Sequence, residues 1–182
     1  MHTKILLFHP NLAQSHANAA MAHAAQSMPN VEVIDLYGLY ANRPIDVPGE
    51  IDRLLSAERI VLQFPVQWYA PPALLKQWVD DVFTTMYYLS YPETGLRLEN
   101  TPLLVAATAG NHAQAYTSSG QNFFALETLL QPLEALAYRC KLPWHPPFLT
   151  YRANKLDAGE LDALGEEYRA YLELWQRTTP PR

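Results

Sequence analysis

The sequence predicts a three-layer open α/β fold on a five-stranded parallel sheet. Three observations carry that expectation. Short apolar, β-branched runs recur along the chain, stretches of helical periodicity separate them, and no repeat, low-complexity tract or linker divides the 182 residues. Parallel strands cannot be joined by tight turns, so each is reached through a crossover, and crossover helices cover both faces of the sheet.

Each element has its own signal. Lys4 to Phe8 is a continuous apolar run closed by His9-Pro10-Asn11, a buried strand feeding a loop. Ala17 to Gln26 is alanine-rich and free of Gly and Pro, which favours helix. Val31 to Asp35 is a short, β-branched second strand. Pro48 stands in a first helical turn, where its missing N–H is no loss, ahead of Ile51, Leu54 and Leu55 at helical spacing. Arg59 to Phe64 is a third strand ended by Pro65. Leu74, Leu75, Trp78, Val79, Val82 and Phe83 mark an amphipathic helix after Pro71-Pro72.

Thr84 to Asn100 reads as the longest irregular segment, with an aromatic run from Met86 to Tyr91 suited to a binding loop, a dimer contact or the core edge. Pro102 to Ala107 is a fourth strand. Phe123 to Tyr138 has helical periodicity through Phe123, Leu126, Leu130, Leu133 and Ala137, and Pro132 should kink or split it. A fifth strand falls within Leu142 to Tyr151. The last helix starts at Asp157, which forms a capping box with Glu160, and shows one face through Leu161, Leu164, Tyr168, Leu172 and Trp175.

Composition narrows the function. A chain that is 49% hydrophobic and 17% charged folds, and its length suits one domain over residues 1–182. Thirteen Lys and Arg against 18 Asp and Glu give a net charge of -5, which argues against nucleic acid as a partner, since that affinity comes from cationic contacts to phosphate. A lone cysteine, Cys140, allows no internal disulfide and suits a reducing cytoplasm. Lys4 to Phe8 is too short for a signal-peptide core, and no apolar run approaches the roughly 18 residues of a membrane span. A cytoplasmic protein is expected.

In an open parallel sheet, ligands bind beyond the carboxyl ends of the strands. The seven glycines include no pair two residues apart, so the dinucleotide fingerprint is absent, as are the P-loop and the hydrolase elbow. The loop after strand one runs His9-Pro10-Asn11-Leu12-Ala13-Gln14-Ser15-His16-Ala17-Asn18. Ser15 is a helix N-cap candidate, and the amides behind it would attract an anion; capping alone accounts for it equally. After strand three, Trp68 and Tyr69 between prolines form either a wall for a flat ring or an aromatic plug on the core. After strand four, Thr108-Ala109-Gly110-Asn111-His112 is a small-residue turn, with Tyr116 beyond it. His2, His9, His16 and His23 recur every seven residues across a strand, a loop and a helix. No compact ligand set results, so no metal is expected.

These motifs resemble a known family. His9-Pro10, then Ser15 and Asn18, is similar to the flavin-phosphate loop of the flavodoxin-like NAD(P)H:quinone oxidoreductases. Gln63-Phe64-Pro65-Val66-Gln67-Trp68-Tyr69, followed by Pro72-Ala73-Leu74-Leu75-Lys76-Gln77-Trp78, resembles the same family. The likeness runs from strand one through Tyr151 and extends to the ancillary subunits of glutathione-gated potassium efflux systems.

What the resemblance implies is a flavodoxin-like fold, a homodimer, bound FAD or FMN, and two-electron reduction of a quinone-type acceptor by NADH or NADPH. Position by position, it assigns His9, Ser15, His16, Ala17 and Asn18 to the flavin phosphate. Pro65, Val66, Gln67, Trp68 and Tyr69 would line the isoalloxazine, and Thr108, Ala109, Gly110 and Asn111 would complete that wall. Tyr116 matches a catalytic tyrosine beside the flavin carbonyl edge, while Trp68, Tyr88 and Tyr91 would shape an apolar substrate slot. Two positions depart from the family. Ala109 and Asn111 replace a Thr and a Gly of the usual Thr-Thr-Gly-Gly turn, and Asn122 stands where eukaryotic members carry a histidine. The same motifs would serve a flavin-binding regulatory subunit docked on a potassium efflux transporter at the inner membrane. An electron-carrier flavodoxin fits less well, because those proteins are usually more acidic.

Overall fold

The computed structural model describes residues 2–182. Five strands, β1 (Thr3–Leu7), β2 (Val31–Asp35), β3 (Arg59–Pro65), β4 (Leu103–Thr108) and β5 (Phe148–Thr150), lie in the order β2-β1-β3-β4-β5 with every pair parallel. The chain leaves β1 toward one edge and returns to its other side at β3. Strand order therefore reverses between β1 and β3, where such folds bind ligands.

Eight helices accompany the sheet: α1 (Ala17–Gln26), α2 (Leu36–Tyr40), α3 (Val47–Leu55), α4 (Ala73–Thr84), α5 (Leu96–Leu98), α6 (Leu126–Leu129), α7 (Gln131–Arg139) and α8 (Ala158–Thr178). The two-residue period of the strands divides the core. Ile60, Leu62 and Phe64 of β3 pack with Leu54, Trp78 and Leu133 from α3, α4 and α7. Val61, with Leu104 and Ala106 of β4, packs with Met21 of α1 and Leu164, Tyr168 and Trp175 of α8. Where α1 meets α8, a Cβ on Gly165 would lie 3.3 Å from that of Ala24, so glycine lets the helices approach. Buried Arg59 donates to the carbonyls of Gln176 (2.9 Å) and Thr179 (2.6 Å), placing a cation at the negative end of α8.

Most sequence-derived elements are present, with three differences. The short helix α2 was not foreseen; Asp35 caps it by accepting from the Gly38 N–H at 3.0 Å. The expected helix from Phe123 starts only at Leu126 and is split at Leu130, with Pro132 in the first turn of α7, where its absent N–H is tolerated. The segment from Thr84 to Asn100 is not irregular. Two wide helical turns, Thr85–Leu89 and Tyr91–Gly95, continue α4 into α5, because Met86, Tyr87 and Leu98 are core residues. The capping box at Asp157 and Glu160 is formed in both directions, at 2.8 and 2.9 Å. Among the described residues, no helix is long and apolar enough to cross a membrane.

One carboxylate anchors the α3–α4 layer. Glu50 is fully buried and accepts from the Tyr40 hydroxyl (2.7 Å), the Trp78 indole (3.0 Å) and Arg53 Nε (3.1 Å). Burial, and then the bond to Glu50, push the Tyr40 hydroxyl up to about 12, so it remains a donor at neutral pH. Glu50→Ala would strand two buried donors and the Arg53 cation. Breaking such a network should destabilise the protein by about 3–5 kcal/mol, read as a lower urea midpoint. Glu50→Gln, which keeps an acceptor oxygen, should lose less; equal stability of Glu50→Ala and wild type would refute the anchor.

Candidate functional site

Four loops meet beyond the carboxyl ends of β1, β3, β4 and β5 around a cavity of about 250 Å³. The loop after β1 contributes His9, Ser15, Ala17 and Asn18, and the loop after β3 contributes Pro65, Val66 and Gln67. Thr108 and Gly110 come from the end of β4, with Ala153 and Asn154 from beyond β5. Backbone bonds hold these loops together. The Val66 N–H donates to the Thr108 carbonyl (2.8 Å), Ala109 to Thr150 (2.7 Å), and Ala153 back to Ala109 (3.0 Å).

The first turn of α1 is the electropositive feature of the cavity. Its leading amides have no acceptor inside the helix. His16, and not Ser15, holds the N-cap position, and its side chain makes no capping bond. Ser15 instead closes the short turn Leu12–Gln14 through its own N–H, which donates to the Leu12 carbonyl at 3.0 Å. An uncapped helix end opening on a cavity is an anion site. His9 adds a donor. Its Nδ1 accepts from the Asn11 N–H at 3.1 Å, so the neutral ring carries its proton on Nε2. Burial holds His9 below the ordinary imidazole value, the nearby Asp35 carboxylate opposing in part, so it is neutral at pH 7. Among the described residues, no carboxylate lines the cavity. The donor set suits a phosphate-bearing cofactor.

Asn18 is buried, and its side chain turns inward: Nδ2 donates to Thr108 Oγ1 at 2.8 Å, and Oδ1 accepts from Gln63 Nε2 at 3.3 Å. Gln63 Nε2 also donates to the Asn18 carbonyl (3.0 Å), and Gln63 Oε1 accepts from the Tyr168 hydroxyl (3.3 Å).

Several expected site residues lie outside the cavity. Trp68 and Tyr69 have φ of 45° and 67°, a two-residue left-handed turn closed by reciprocal bonds between Gln67 and Ala70 at 2.9 and 3.1 Å. Such backbone is strained for bulky residues and is characteristic of functional loops. The turn leaves Trp68 93% exposed at the rim. The Tyr69 hydroxyl donates to Asn122 Oδ1 at 3.3 Å, so Asn122 partners Tyr69 and not Tyr116. Half-buried Tyr116 stacks obliquely near Tyr151 (5.7 Å between centroids) and stays protonated, because burial and then nearby Tyr69 raise its pKa. Ala109 is buried by its bonds to the β5 loop, and Asn111 turns to Gln121 (3.3 Å).

Tyr88 and Tyr91 are not brought to the cavity. They sit at the opposite, amino end of β4, Tyr88 beside Arg139 and Tyr91 bonded to Glu99. Residues Ala153 and Asn154 were missed by the sequence reading. The irregular, proline-rich approach to β5 hid them, although the loop after a further strand at the same sheet edge was the available signal. Among the described residues, no group of three or more His, Cys, Asp or Glu could hold a metal ion.

Comparison with known proteins agrees with the geometry. The glutathione-regulated potassium-efflux system ancillary protein KefF of Salmonella newport is 38% identical over 172 residues, covering 94% of this chain and 96% of its own. The NADPH-quinone reductase of P. pentosaceus superposes with a TM-score of 0.81 at 30% identity, over 94% of this chain and 97% of that one. General stress protein 14 of Treponema denticola, solved in complex with FMN, superposes at 0.87 and 30% identity, over 97% of this chain and all (100%) of that one. The family model for the flavodoxin-like fold matches residues 1–172. The chain belongs to the flavodoxin-like family of NAD(P)H oxidoreductases and quinone reductases.

Proposed function

We propose that this protein is a flavin-dependent NAD(P)H:quinone oxidoreductase that binds FMN or FAD at the four-loop cavity. The observation that carries this reading is the uncapped start of α1 opening on a cavity with no carboxylate in its lining. The volume is below the roughly 300–1,000 Å³ of a complete small-molecule cleft, and suits the phosphate-bearing end of a cofactor. The FMN complex of the Treponema denticola relative supports a flavin there.

A bound flavin supplies hydride acceptance from NADH or NADPH and hydride donation to the quinone. The chain's own residues bind, orient and stabilise charge. Amides of Ala17 and Asn18, with Ser15, His9 and His16, would meet the phosphate. Pro65 to Tyr69 and Thr108 to Asn111 would bound the ring, and the exposed face of Trp68 would meet a flat acceptor. The Tyr116 hydroxyl would donate to charge that develops at the ring's carbonyl edge.

The reading extends to a homodimer. Pro71, Leu75, Val79, Leu133 and Leu136 line an apolar groove of about 570 Å³ between α4 and α7. Trp68, Tyr69, Phe123 and Phe124 are further exposed aromatic side chains. A second copy would cover this surface, and a substrate role for Tyr88 and Tyr91 requires one. Light scattering at micromolar concentration should give twice the monomer mass; a fully active monomer would count against the dimer.

The second reading is a regulatory subunit on a potassium efflux transporter, cytoplasmic at the inner membrane, and likeness to KefF favours it. Flavin-loaded protein should oxidise NADPH with menadione in the absence of any partner. A flavin that resists reduction, while the protein co-purifies with a transporter, would favour the regulatory role alone.

Tyr116→Phe should slow bleaching of flavin absorbance by NADPH about ten- to hundredfold, the loss of one hydrogen bond to developing charge, and leave flavin bound. Asn122, which bonds Tyr69, carries no titrating group in place of the family histidine, and the effect should be flat from about pH 6 to 8. An unchanged rate removes Tyr116 from the mechanism. A break within that range would contradict this reading of Asn122.

A further inference from the structure

Gln63 is a buried polar side chain that β3 turns toward α1 and α8, among Val61, Leu104, Met21 and Leu172. Its position fixes the direction of four successive hydrogen bonds. The Asn18 carbonyl is a backbone oxygen and only accepts, so Gln63 must present its amide nitrogen there, at 3.0 Å. Gln63 Oε1 then faces Tyr168, whose hydroxyl must donate (3.3 Å). The same Gln63 nitrogen reaches the Asn18 side-chain oxygen (3.3 Å), which turns Asn18 Nδ2 toward Thr108 Oγ1 (2.8 Å). Thr108 Oγ1 therefore accepts, and its own hydrogen is left to donate. Among the described residues, no protein acceptor takes it, and Thr108 lines the cavity.

We propose that Tyr168, Gln63 and Asn18 form a one-directional chain that holds the Thr108 hydroxyl as a donor into the cavity, with Gln63 and Tyr168 acting as positioning residues. The acceptor it meets is an oxygen or ring nitrogen of the ligand, which rests on the flavin reading of the cavity. Without Gln63, the Asn18 carboxamide is free to turn its oxygen to Thr108. The Thr108 hydrogen then bonds inward and is withdrawn from the ligand. Burial raises the Tyr168 pKa, so that end of the chain stays a donor. The chain also joins α8 to the first turn of α1, so a residue remote from the cavity sets a contact inside it.

The test is a double-mutant cycle on two side chains that share only Asn18. Gln63→Leu and Thr108→Val fit apolar surroundings, and Thr108→Ser restores the hydroxyl. FMN affinity is read by quenching of flavin fluorescence. Each of the first two variants should weaken FMN binding on the order of tenfold, since each removes the same donor. The double variant should be no weaker than the poorer single one, and Thr108→Ser should stay close to wild type. Multiplied losses in the double variant, or wild-type affinity in Gln63→Leu beside a weakened Thr108→Val, would overturn the proposal. Urea unfolding of the same proteins without ligand separates the chain from the flavin reading. Non-additive midpoint shifts support the chain, and additive ones overturn it whatever the cavity binds. Non-additive shifts across the cycle, together with a wild type that takes up neither FMN nor FAD, would uphold the chain and overturn the flavin reading alone.

Discussion

The leading N–H groups of α1 have no acceptor in their own helix, and no side chain caps them. Other features of the carboxyl edge are arranged about that deficit. The reversal of strand order between β1 and β3 leaves the space into which these amides point. Val66 and Ala109 lock the neighbouring loops to β4 and β5, so the space persists as a cavity. Asn18, the second residue of the helix, is tied inward to Gln63 and Thr108, which fixes the helix start against the sheet. An ordinary side-chain cap at Ser15 or His16 would take up one of these amides and weaken the site for an anion.

Much of the fold was legible because its signals are local. The buried, largely apolar run of β3, the Asp157–Glu160 capping box and Pro132 at a helix start each follow from a few adjacent residues. The segment from Thr84 to Asn100 was not legible. Its aromatic run has no strict helical period because its turns are wide, and its core contacts are made with residues distant in sequence. The site divides in the same way. The loop after β1 and Pro65-Val66-Gln67 could be placed from motif and strand end, whereas Asn154 lies beyond a strand only three residues long. Tyr88 and Tyr91 lie away from the cavity of their own chain, and a likeness of residue type carries no information about which end of the sheet a helix reaches.

The two functional readings share this geometry. An oxidoreductase and a transporter's regulatory subunit both need a flavin or nucleotide phosphate held at α1. They differ at the rim, where the strained Trp68–Tyr69 turn offers aromatic surface to an acceptor, to a second copy or to a partner. Strain of that kind persists where the surroundings enforce it. Here the enforcing contacts are the Gln67–Ala70 bonds and the Tyr69–Asn122 bond. In this chain Asn122 thus serves to hold a loop, a role that needs no titrating side chain.

The central claim is that the four-loop cavity holds a flavin by its phosphate. The most direct measurement is the absorption spectrum of the purified protein, with mass spectrometry of the small molecule released on denaturation. A flavin spectrum and release of FMN or FAD are expected. A colourless protein that neither flavin reconstitutes would contradict the claim.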